Sequence, residues 1–273
     1  MNDETRFGEA GEAQVLRSDA GGIATLTLNR PAQRNALSLA LIDAVRASLD
    51  AIETDHQVRA VVLAANGPAF SSGHDLKELT AHRADADRGR GFYAETMRRC
   101  ASLMQAIVAL PQPVIAAVEG IATAAGCQLV ATCDLAIAGG SASFGTPGVN
   151  IGLFCSTPMV ALSRNVAPKH AMELLLTGEL ADAETAYRIG LVNRVVEAGE
   201  ALAGAQAVAQ KIATKSTHVL AIGKKAFYAQ RDMTLAEAYD YTVDVMVQNM
   251  LARDAEEGIG AFVEKREPKW RDC

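Results

Sequence analysis

Short apolar runs rich in β-branched residues alternate with amphipathic segments over the first two thirds of the chain. The apolar runs predict buried strands over residues 23–28, 58–67, 113–120 and 134–139. Helical spacing of apolar residues predicts a helix after a Ser38 cap and further helices over 92–110 and 124–133. The charged segment 81–91 predicts a mobile loop. Strands that alternate with helices are typical of an α/β fold.

The pattern changes near residue 198. Beyond this point Ala, Lys, Glu and Met dominate helical segments, and no strand is evident. We therefore predict an α/β body over 1–198 and a helical region over 199–273. One helix of the second region carries a stripe on a single face, formed by Leu235, Ala238, Tyr239, Thr242, Val243 and Met246. Such a stripe often packs on a neighbouring subunit, so an oligomer is expected.

Composition and charge exclude one class of partner. Apolar residues make up 49% of the chain, which is enough to bury a large core. The 26 Lys and Arg residues against 32 Asp and Glu give a net charge of −6. This balance argues against nucleic acid, because phosphate neutralisation needs a basic surface. A small anionic ligand is still compatible with the charge, since a few local cations suffice.

The cysteines, the histidines and the N-terminus bear on disulfide bonds, metal binding and the cellular compartment. The 5 Cys residues are odd in number and lack a CxxC pair, so no disulfide framework is predicted. The 5 His residues have no ligand spacing, so no metal site is predicted. No apolar run is long enough to cross a membrane, and the acidic start MNDETRFGEAGEA has no targeting pattern. Together these features predict a cytoplasmic protein.

Two glycine-containing turns follow predicted strands, FSSGHDL over 70–76 and GIATAAGCQL over 120–129. Each places backbone N–H groups at the start of a predicted helix, where such donors lack partners within the helix. Two of these groups directed at one spot would bind an oxyanion. From spacing alone, ordinary strand-to-helix turns are the simpler interpretation. The glycines of GTPGVNIGLF, residues 145–154, fit neither GxxxxGK[ST] nor GxGxxG, so no nucleotide loop is predicted.

Seven motifs span nearly the whole chain: NRPAQRNALS (29–38), FSSGHDLKEL (70–79), PVIAAVEGIATAAGCQLVATCDLAIA (113–138), FGTPGVNIGL (144–153), LLLTGEL (174–180), AYRIGLVNRVV (186–196) and GIGAFVEKREP (258–268). In these motifs the sequence resembles the crotonase, or enoyl-CoA hydratase/isomerase, superfamily. The resemblance implies a crotonase-type spiral of repeated ββα units, with a C-terminal helical part that builds a trimer or a dimer of trimers. It also implies an acyl-CoA thioester as substrate, an enolate intermediate, and no cofactor besides the coenzyme A of the substrate.

The resemblance assigns roles to individual residues. The amides of His74 and Ala125 would form the oxyanion hole, and removal of one such donor typically costs ~3–4 kcal/mol of transition-state stabilisation. Contacts to coenzyme A would come from Arg34, Ala36, Ser72, Asp75 and Leu76, and from Phe262 and Lys265 of a neighbouring subunit. Arg34 and Lys265 would supply the cations that a phosphorylated ligand needs.

The sequence departs from the family where a hydratase carries two glutamates. Gln128 and Gly148 stand at these positions. Gln128 can form hydrogen bonds but cannot exchange a proton at neutral pH, and Gly148 is expected to leave a gap. Because a positioned acid or base typically contributes ~10²–10⁴-fold, hydration by the usual route is expected to be weak or absent.

Several interpretations of such a site stay open. His74 could donate to a substrate carboxylate, as in family decarboxylases with a similar SAGHD loop, or it could lend only its amide. Bound bicarbonate could replace the missing carboxylate, as in the dihydroxynaphthoyl-CoA synthase branch. The chain could also be a non-catalytic acyl-CoA binder or scaffold. Four residues could line the same pocket, Asn150, Cys155, Ser156 and Thr157, of which Cys155 is expected to be a small core residue rather than a nucleophile.

Overall fold

Ten strands in two sheets form the framework of residues 13–273, the part of the chain that the computed structural model describes. They are β1 (Val15–Ala20), β2 (Ile23–Leu28), β3 (Ala60–Ala65), β4 (Ala69–Ser71), β5 (Val114–Val118), β6 (Ile121–Thr123), β7 (Leu135–Gly139), β8 (Ser143–Gly145), β9 (Ala181–Asp182) and β10 (Arg194–Val196). The main sheet has the order β1-β2-β3-β5-β7-β10, and the smaller sheet has the order β4-β6-β8-β9. The β1–β2 and β8–β9 pairs are antiparallel, and the other neighbours are parallel.

Eleven α-helices in the described residues connect and cover these strands. They are α1 (Leu39–Glu53), α2 (Leu76–Ala81), α3 (Arg90–Ala109), α4 (Ala125–Thr132), α5 (Ser156–Asn165), α6 (Pro168–Thr177), α7 (Ala183–Arg188), α8 (Ala201–Ala213), α9 (Thr217–Gln230), α10 (Leu235–Met250) and α11 (Arg253–Glu264). Ser38 caps α1 as predicted, since its hydroxyl oxygen accepts a hydrogen bond from the Leu41 N–H at 3.2 Å.

The segment 81–91 contains more helical structure than the predicted loop. It holds the end of α2, a 3-10 turn over His82–Ala84 and the start of α3. The carboxylate of Asp87 accepts hydrogen bonds from the N–H groups of Gly89 and Gly91, and so organises the turn that leads into α3.

The strand order produces a repeated ββα unit. In each of the pairs β3–β4, β5–β6 and β7–β8, the first strand joins the main sheet and the second joins the smaller sheet. Helices α2, α4 and α5 follow these pairs along the chain. Because β4 and β6 are parallel neighbours, the turns that lead into α2 and α4 lie side by side. The two glycine-containing turns are therefore brought together by the sheet.

Helices cover both faces of the main sheet. Val61 and Leu63 of β3 belong to a core with α1 and α3, whereas Val62 belongs to a second core with Ala205 and Val208 of α8. Side chains alternate in direction along a strand, so β3 serves both cores. Burial on both faces explains why this strand is continuously apolar in sequence. The predicted division of the chain near residue 198 stays a prediction.

A buried charge cluster attaches α9 to the α/β body. The Lys224 Nζ donates to Asp134 Oδ2 at 2.6 Å and to the carbonyls of Ile107 and Gln112 at 2.9 and 3.1 Å. The Tyr228 hydroxyl donates to the other Asp134 oxygen at 2.9 Å. Burial lowers the pKa of Lys224, and the charge of Asp134 opposes this shift. The cluster joins α9 to the end of α3 and the start of β7.

The C-terminal region is helical, as predicted, and it presents apolar side chains to solvent. Leu235, Tyr239 and Val243 of the predicted stripe on α10 are 75%, 66% and 59% exposed. On α11, Phe262 and Val263 are 84% and 73% exposed. Exposed apolar surface of this extent usually marks an interaction site.

Candidate active site

Glycines let the two turns pack directly against each other. A Cβ added to Gly126 would lie 2.2 Å from the Ser71 carbonyl oxygen, and one added to Gly73 would lie 2.8 Å from the Ala124 Cβ. Gly73 also has a φ of +92°, which side chains other than glycine rarely adopt. The backbone before α2 and the N-terminus of α4 are therefore in contact, and a side chain at either glycine would separate them.

Ala124 holds an unusual backbone conformation at the start of α4. Its φ of 50° and ψ of −118° are uncommon for a residue with a Cβ. Two hydrogen bonds hold it there: its N–H donates to the Gly145 carbonyl at 2.9 Å, and its carbonyl accepts from the Gln128 N–H at 3.0 Å. Backbone strain that the surroundings enforce is common at functional sites. Here it sets the direction of the next peptide N–H, that of Ala125.

The backbone N–H groups of His74 and Ala125 have no acceptor within residues 13–273. Leu37 pairs with His74 in a parallel bridge, but its hydrogen bonds go to the residues on either side of His74. The Leu37 N–H donates to the Gly73 carbonyl at 2.7 Å, and the Asp75 N–H donates to the Leu37 carbonyl at 3.2 Å, so the bridge leaves the His74 N–H free. Ala125 is the first residue of α4, where an N–H has no partner inside the helix. Both residues line one cavity.

This cavity, called cavity A, has a volume of about 540 Å³. Its wall combines predicted site residues with apolar side chains and includes Ser72, His74, Leu76, Leu79, Met97, Ala125, Gly148, Asn150, Cys155, Ser156 and Thr157. The structure thus brings together the residues of both predicted oxyanion amides, Gly148 as the predicted second glutamate position, and two of the predicted coenzyme A contacts. Such a mostly apolar wall with a few polar groups is typical of a small-molecule site.

Gly148 lines cavity A, but the space into which its own Cβ would project is occupied by neighbouring atoms. A Cβ on Gly148 would lie 2.6 Å from the Leu153 carbonyl oxygen and 2.8 Å from the Cys155 Sγ. The sequence could not reveal this, because the packing depends on how residues 148–155 turn back on themselves. Burial raises the pKa of the Cys155 thiol, while the backbone of Gly148 opposes the shift. A protonated thiol therefore stands beside Gly148, whose place as a glutamate position stays a prediction.

The His74 imidazole has no hydrogen-bond partner in the described part of the chain. Both of its ring nitrogens are buried. Burial lowers the pKa of His74, and the nearby backbone of Leu37 opposes this shift only in part. The ring is therefore neutral at pH 7 and offers one donor and one acceptor. A buried imidazole without a partner is uncommon in folded proteins, so His74 is a titratable group of interest in the wall of cavity A.

Gln128 lies away from cavity A. It is 4% exposed, its Oε1 has no partner in residues 13–273, and it lines a second cavity of about 580 Å³, called cavity B. Cavity B lies between α3, α4, α5 and α9, and Gln128 is one helical turn beyond Ala125 on α4. The structure therefore separates Gln128 from Gly148, and its role at a glutamate position stays a prediction.

The first loop and the SSGHD turn are joined by several hydrogen bonds. The Ser72 N–H donates to the Arg34 carbonyl at 3.0 Å. The sequence motifs did not single out Arg30 as a site residue, although it belongs to the first motif. Its Nη1 donates to the Ala36 carbonyl at 2.6 Å, and its Nη2 lies 3.2 Å from Asp75 Oδ2. Arg30 thus orders the residues predicted to bind coenzyme A.

Three of the residues predicted to contact coenzyme A are exposed at the surface and lie outside cavity A. Arg34 is exposed and has a left-handed backbone, with a φ of 51°. Phe262 and Lys265 are exposed at the end of α11, and neither lines cavity A. Their predicted contribution from a neighbouring subunit stays a prediction.

Two kinds of feature are absent from the described residues, a membrane-spanning helix and a cluster of metal-binding side chains. Within residues 13–273, no helix combines the length and apolarity that crossing a membrane requires. The same residues hold no group of three or more His, Cys, Asp or Glu side chains that could bind a metal ion.

Fold and site together define an α/β protein with a ligand cavity where two strand-to-helix turns each offer a free backbone N–H. The chain belongs to the enoyl-CoA hydratase/isomerase family, which it matches over residues 18–273. It is 45% identical over 249 residues to enoyl-CoA hydratase domain-containing protein 3, mitochondrial, from rat. The matched region covers 91% of this chain and 81% of the relative.

Solved structures confirm the predicted crotonase fold. An enoyl-CoA hydratase from Mycobacterium smegmatis has a TM-score of 0.90 at 48% identity, over 95% of this chain and 99% of the other. Human enoyl-CoA hydratase domain-containing protein 3 has a TM-score of 0.89 at 44% identity, over 94% of this chain and 100% of the other. Proteins of this family bind acyl-CoA.

The prediction of a cytoplasmic location is wrong. The rat relative and its mouse and human counterparts are named mitochondrial, which points to mitochondria. The free cysteines on which the prediction partly rested indicate only a reducing compartment. The N-terminal residues used in the same prediction lie almost entirely outside the described part of the chain.

Proposed function

We propose that this protein is an acyl-CoA-binding enzyme that stabilises a thioester enolate with the backbone N–H groups of His74 and Ala125. The observation that carries the proposal is that both residues line cavity A and neither N–H group has an acceptor in residues 13–273. A thioester oxygen between the two would accept both hydrogen bonds. The N-terminus of α4 adds partial positive charge at the same place, which favours a developing oxyanion.

The groups that could move a proton in cavity A differ from those of a hydratase. Gly148 supplies none, and the Cys155 thiol is protonated. Gln128 lies outside cavity A and cannot exchange a proton at neutral pH. We therefore expect hydration of enoyl-CoA to be weak or absent. Coenzyme A itself would be held by Arg34 and by Lys265 of a neighbouring subunit in a trimer or a dimer of trimers.

The experiment that tests the proposal measures binding and carbonyl polarisation separately. Calorimetry with acetyl-CoA tests binding, and absence of saturable binding up to millimolar ligand contradicts the proposal. Difference infrared spectroscopy with a carbonyl-labelled acetyl-CoA tests the oxyanion hole. We expect the carbonyl band to move to lower frequency on binding, because two hydrogen bonds weaken the C=O bond. A bound thioester with the band of the free compound would identify a binder without an oxyanion hole.

Decarboxylation is a second candidate reaction, and the unpartnered imidazole of His74 favours it. A neutral imidazole can donate a hydrogen bond to the carboxylate of a malonyl-type thioester. When CO₂ leaves, the electrons of the broken C–C bond form the enolate, whose oxygen the two amides stabilise, and a proton then adds at the α-carbon. We expect slow turnover of malonyl-CoA to acetyl-CoA that His74→Asn reduces at least tenfold, with acetyl-CoA binding retained.

The control for this reaction is the same assay with crotonyl-CoA. A chain that hydrates crotonyl-CoA rapidly and leaves malonyl-CoA unchanged would contradict the decarboxylase assignment. Binding of acetyl-CoA without turnover of either thioester would favour the non-catalytic binder.

A further inference from the structure

The free N–H of His74 belongs to a peptide group whose carbonyl is held from behind. This carbonyl, that of Gly73, accepts a hydrogen bond from the Leu37 N–H at 2.7 Å. Because the peptide bond is planar and trans, its C=O and N–H groups point in opposite directions. The bond from Leu37 therefore directs the His74 N–H away from the first loop, and it fixes the orientation of this donor.

The same arrangement is repeated one peptide group further back. The Leu37 N–H shares a peptide group with the Ala36 carbonyl, which accepts a hydrogen bond from Arg30 Nη1 at 2.6 Å. Two peptide groups thus stand in series between the guanidinium of Arg30 and the free N–H of His74. We call this series the amide relay. Its two hydrogen bonds, at 2.6 and 2.7 Å, are short for N–H···O contacts.

The amide relay is largely shielded from water. Leu37 is fully buried, Ala36 is 9% exposed, and the side chain of Arg30 is 17% exposed. In such surroundings hydrogen bonds polarise one another, so a peptide group whose carbonyl is engaged becomes a better N–H donor. A cation at the first position strengthens the effect, because charge-assisted hydrogen bonds are stronger than neutral ones. The relay therefore makes the His74 N–H a stronger donor than an isolated amide.

Arg30 is itself fixed at both ends. Its backbone N–H donates to Asn35 Oδ1 at 2.8 Å, and Asn35 Nδ2 donates to the carbonyls of Asn66 and Ala69. At the other end, Arg30 Nη2 lies 3.2 Å from Asp75 Oδ2. Since Asp75 offsets the net charge of Arg30 at a distance, the influence of Arg30 on cavity A passes through the hydrogen bonds of the relay.

The second free N–H, that of Ala125, has a different support. The Ala124 carbonyl accepts a hydrogen bond from the Gln128 N–H at 3.0 Å, so the Ala125 N–H points out of the N-terminus of α4. There the aligned peptide groups of the helix supply the polarisation. His74 lies before α2, outside any helix. The amide relay gives His74 the polarisation that α4 gives Ala125.

We propose that Arg30 is a positioning residue that orients and polarises the His74 N–H through the amide relay. The inference rests on the proposed function, since it takes the thioester oxygen to lie at His74 and Ala125. A merely structural role for Arg30 makes a different prediction. In that case its replacement lowers stability but leaves the carbonyl of a bound thioester unchanged.

The test measures the carbonyl band of labelled acetyl-CoA on the full-length protein by difference infrared spectroscopy. The ligand is saturating, so a change of affinity does not enter the measurement. R30Q removes the charged donor from the Ala36 carbonyl. Because loss of one of two equal donors would halve the shift, R30Q should lose between about a fifth and about a half of the parent's shift. R30K keeps a charged donor and should retain more of the shift than R30Q.

R59Q is the matched control. Arg59 is also partly buried, with 24% of its side chain exposed. Its guanidinium donates to the carbonyls of Ala213 and Lys215 at 2.8 Å and pairs with Asp272 at 2.9 Å. None of these residues lines cavity A. R59Q should therefore lower stability and keep the parent's carbonyl band, and a loss of shift equal to that of R30Q would overturn the relay.

A backbone variant tests the relay with every side chain in place. Incorporation of the hydroxy-acid analogue of leucine at position 37 replaces the Leu37 N–H by an ester oxygen. This variant should lose about as much of the shift as R30Q, because it interrupts the same series of hydrogen bonds. The ester combined with R30Q should lose little more than either change alone, since the two act on one relay. If R30Q does not fold, the ester variant decides the question.

The outcomes separate this inference from the proposed function. A parent shift that R30Q and the ester variant both retain would overturn the relay and leave the oxyanion hole standing. In the parent, bound acetyl-CoA with the band of the free compound, or no binding at all, would overturn the proposed function and the relay with it.

Discussion

At the scale of single residues, Gly148 is required by packing and not by its backbone angles. We expect Gly148→Ala to lower the free energy of unfolding by about 1–3 kcal/mol, because its Cβ would lie 2.6 Å from the Leu153 carbonyl oxygen. Urea denaturation measures the effect. Gly223→Ala is the matched control, since a Cβ there has no neighbour within 4 Å, and it should leave stability equal or raise it. Equal stability of Gly148→Ala and the parent would contradict the packing described.

The His74 imidazole should make stability depend on pH. Burial lowers its folded-state pKa below the usual 6.5, so the unfolded chain binds the proton more tightly. The stability contribution is therefore complete above pH 6.5 and is lost as pH falls towards the folded-state pKa. We expect the free energy of unfolding to drop more between pH 7.5 and pH 5 in the parent than in His74→Asn. Parallel pH profiles from urea denaturation would contradict a buried, titrating imidazole.

Residue roles divide into those that sequence could predict and those that it could not. The glycine-containing turns alone favoured ordinary strand-to-helix turns, so the roles of His74 and Ala125 came from the family resemblance and stay predictions. The thiol beside Gly148 was not predictable, since Cys155 reaches it only through the turn over 148–155.

At the scale of elements, α9 depends on its buried charge cluster. We expect Lys224→Met to lower the free energy of unfolding by ~3–5 kcal/mol, because it leaves the Asp134 carboxylate buried without its cation. Thermal or urea denaturation measures the loss. Lys225→Met removes an exposed lysine from the same helix and should have an effect below about 0.5 kcal/mol. Similar losses in both variants would mean that the cluster does not hold α9.

The elements that sequence predicted well are those with long, regular apolar patterns. β3, β5 and β7 are buried on both faces, so their apolar runs were clear, and α1 and α3 carry wide apolar stripes. The apolar pattern alone did not predict the strands of the smaller sheet, because they are two or three residues long and gain their pairing from neighbours distant in sequence. In segment 81–91, the charged residues predicted a loop. The Asp87 carboxylate instead accepts backbone hydrogen bonds at the start of α3, which favours a helix there.

At the scale of the whole molecule, the exposed apolar face of α10 is expected to be the assembly surface. The variant Y239E/V243E places two charges in this face, so we expect it to sediment as a single chain while the parent sediments as an oligomer. Analytical ultracentrifugation measures the difference. Q248E adds a charge to the same helix outside the predicted stripe and should assemble like the parent. A monomeric parent, or an oligomeric Y239E/V243E, would contradict an assembly role for this face.

The contact between Gly148 and the turn over 148–155 also bears on how this lineage can change. A glutamate at position 148 must first find room that the Leu153 carbonyl and the Cys155 thiol now occupy. Substitutions at positions in contact are rarely additive, so the order in which they arise matters. Gly148→Glu alone is expected to be deleterious, and only a remodelled turn would make it tolerable. A carboxylate at position 148 therefore requires at least one further change in the turn over 148–155, and the two changes are expected to be strongly coupled.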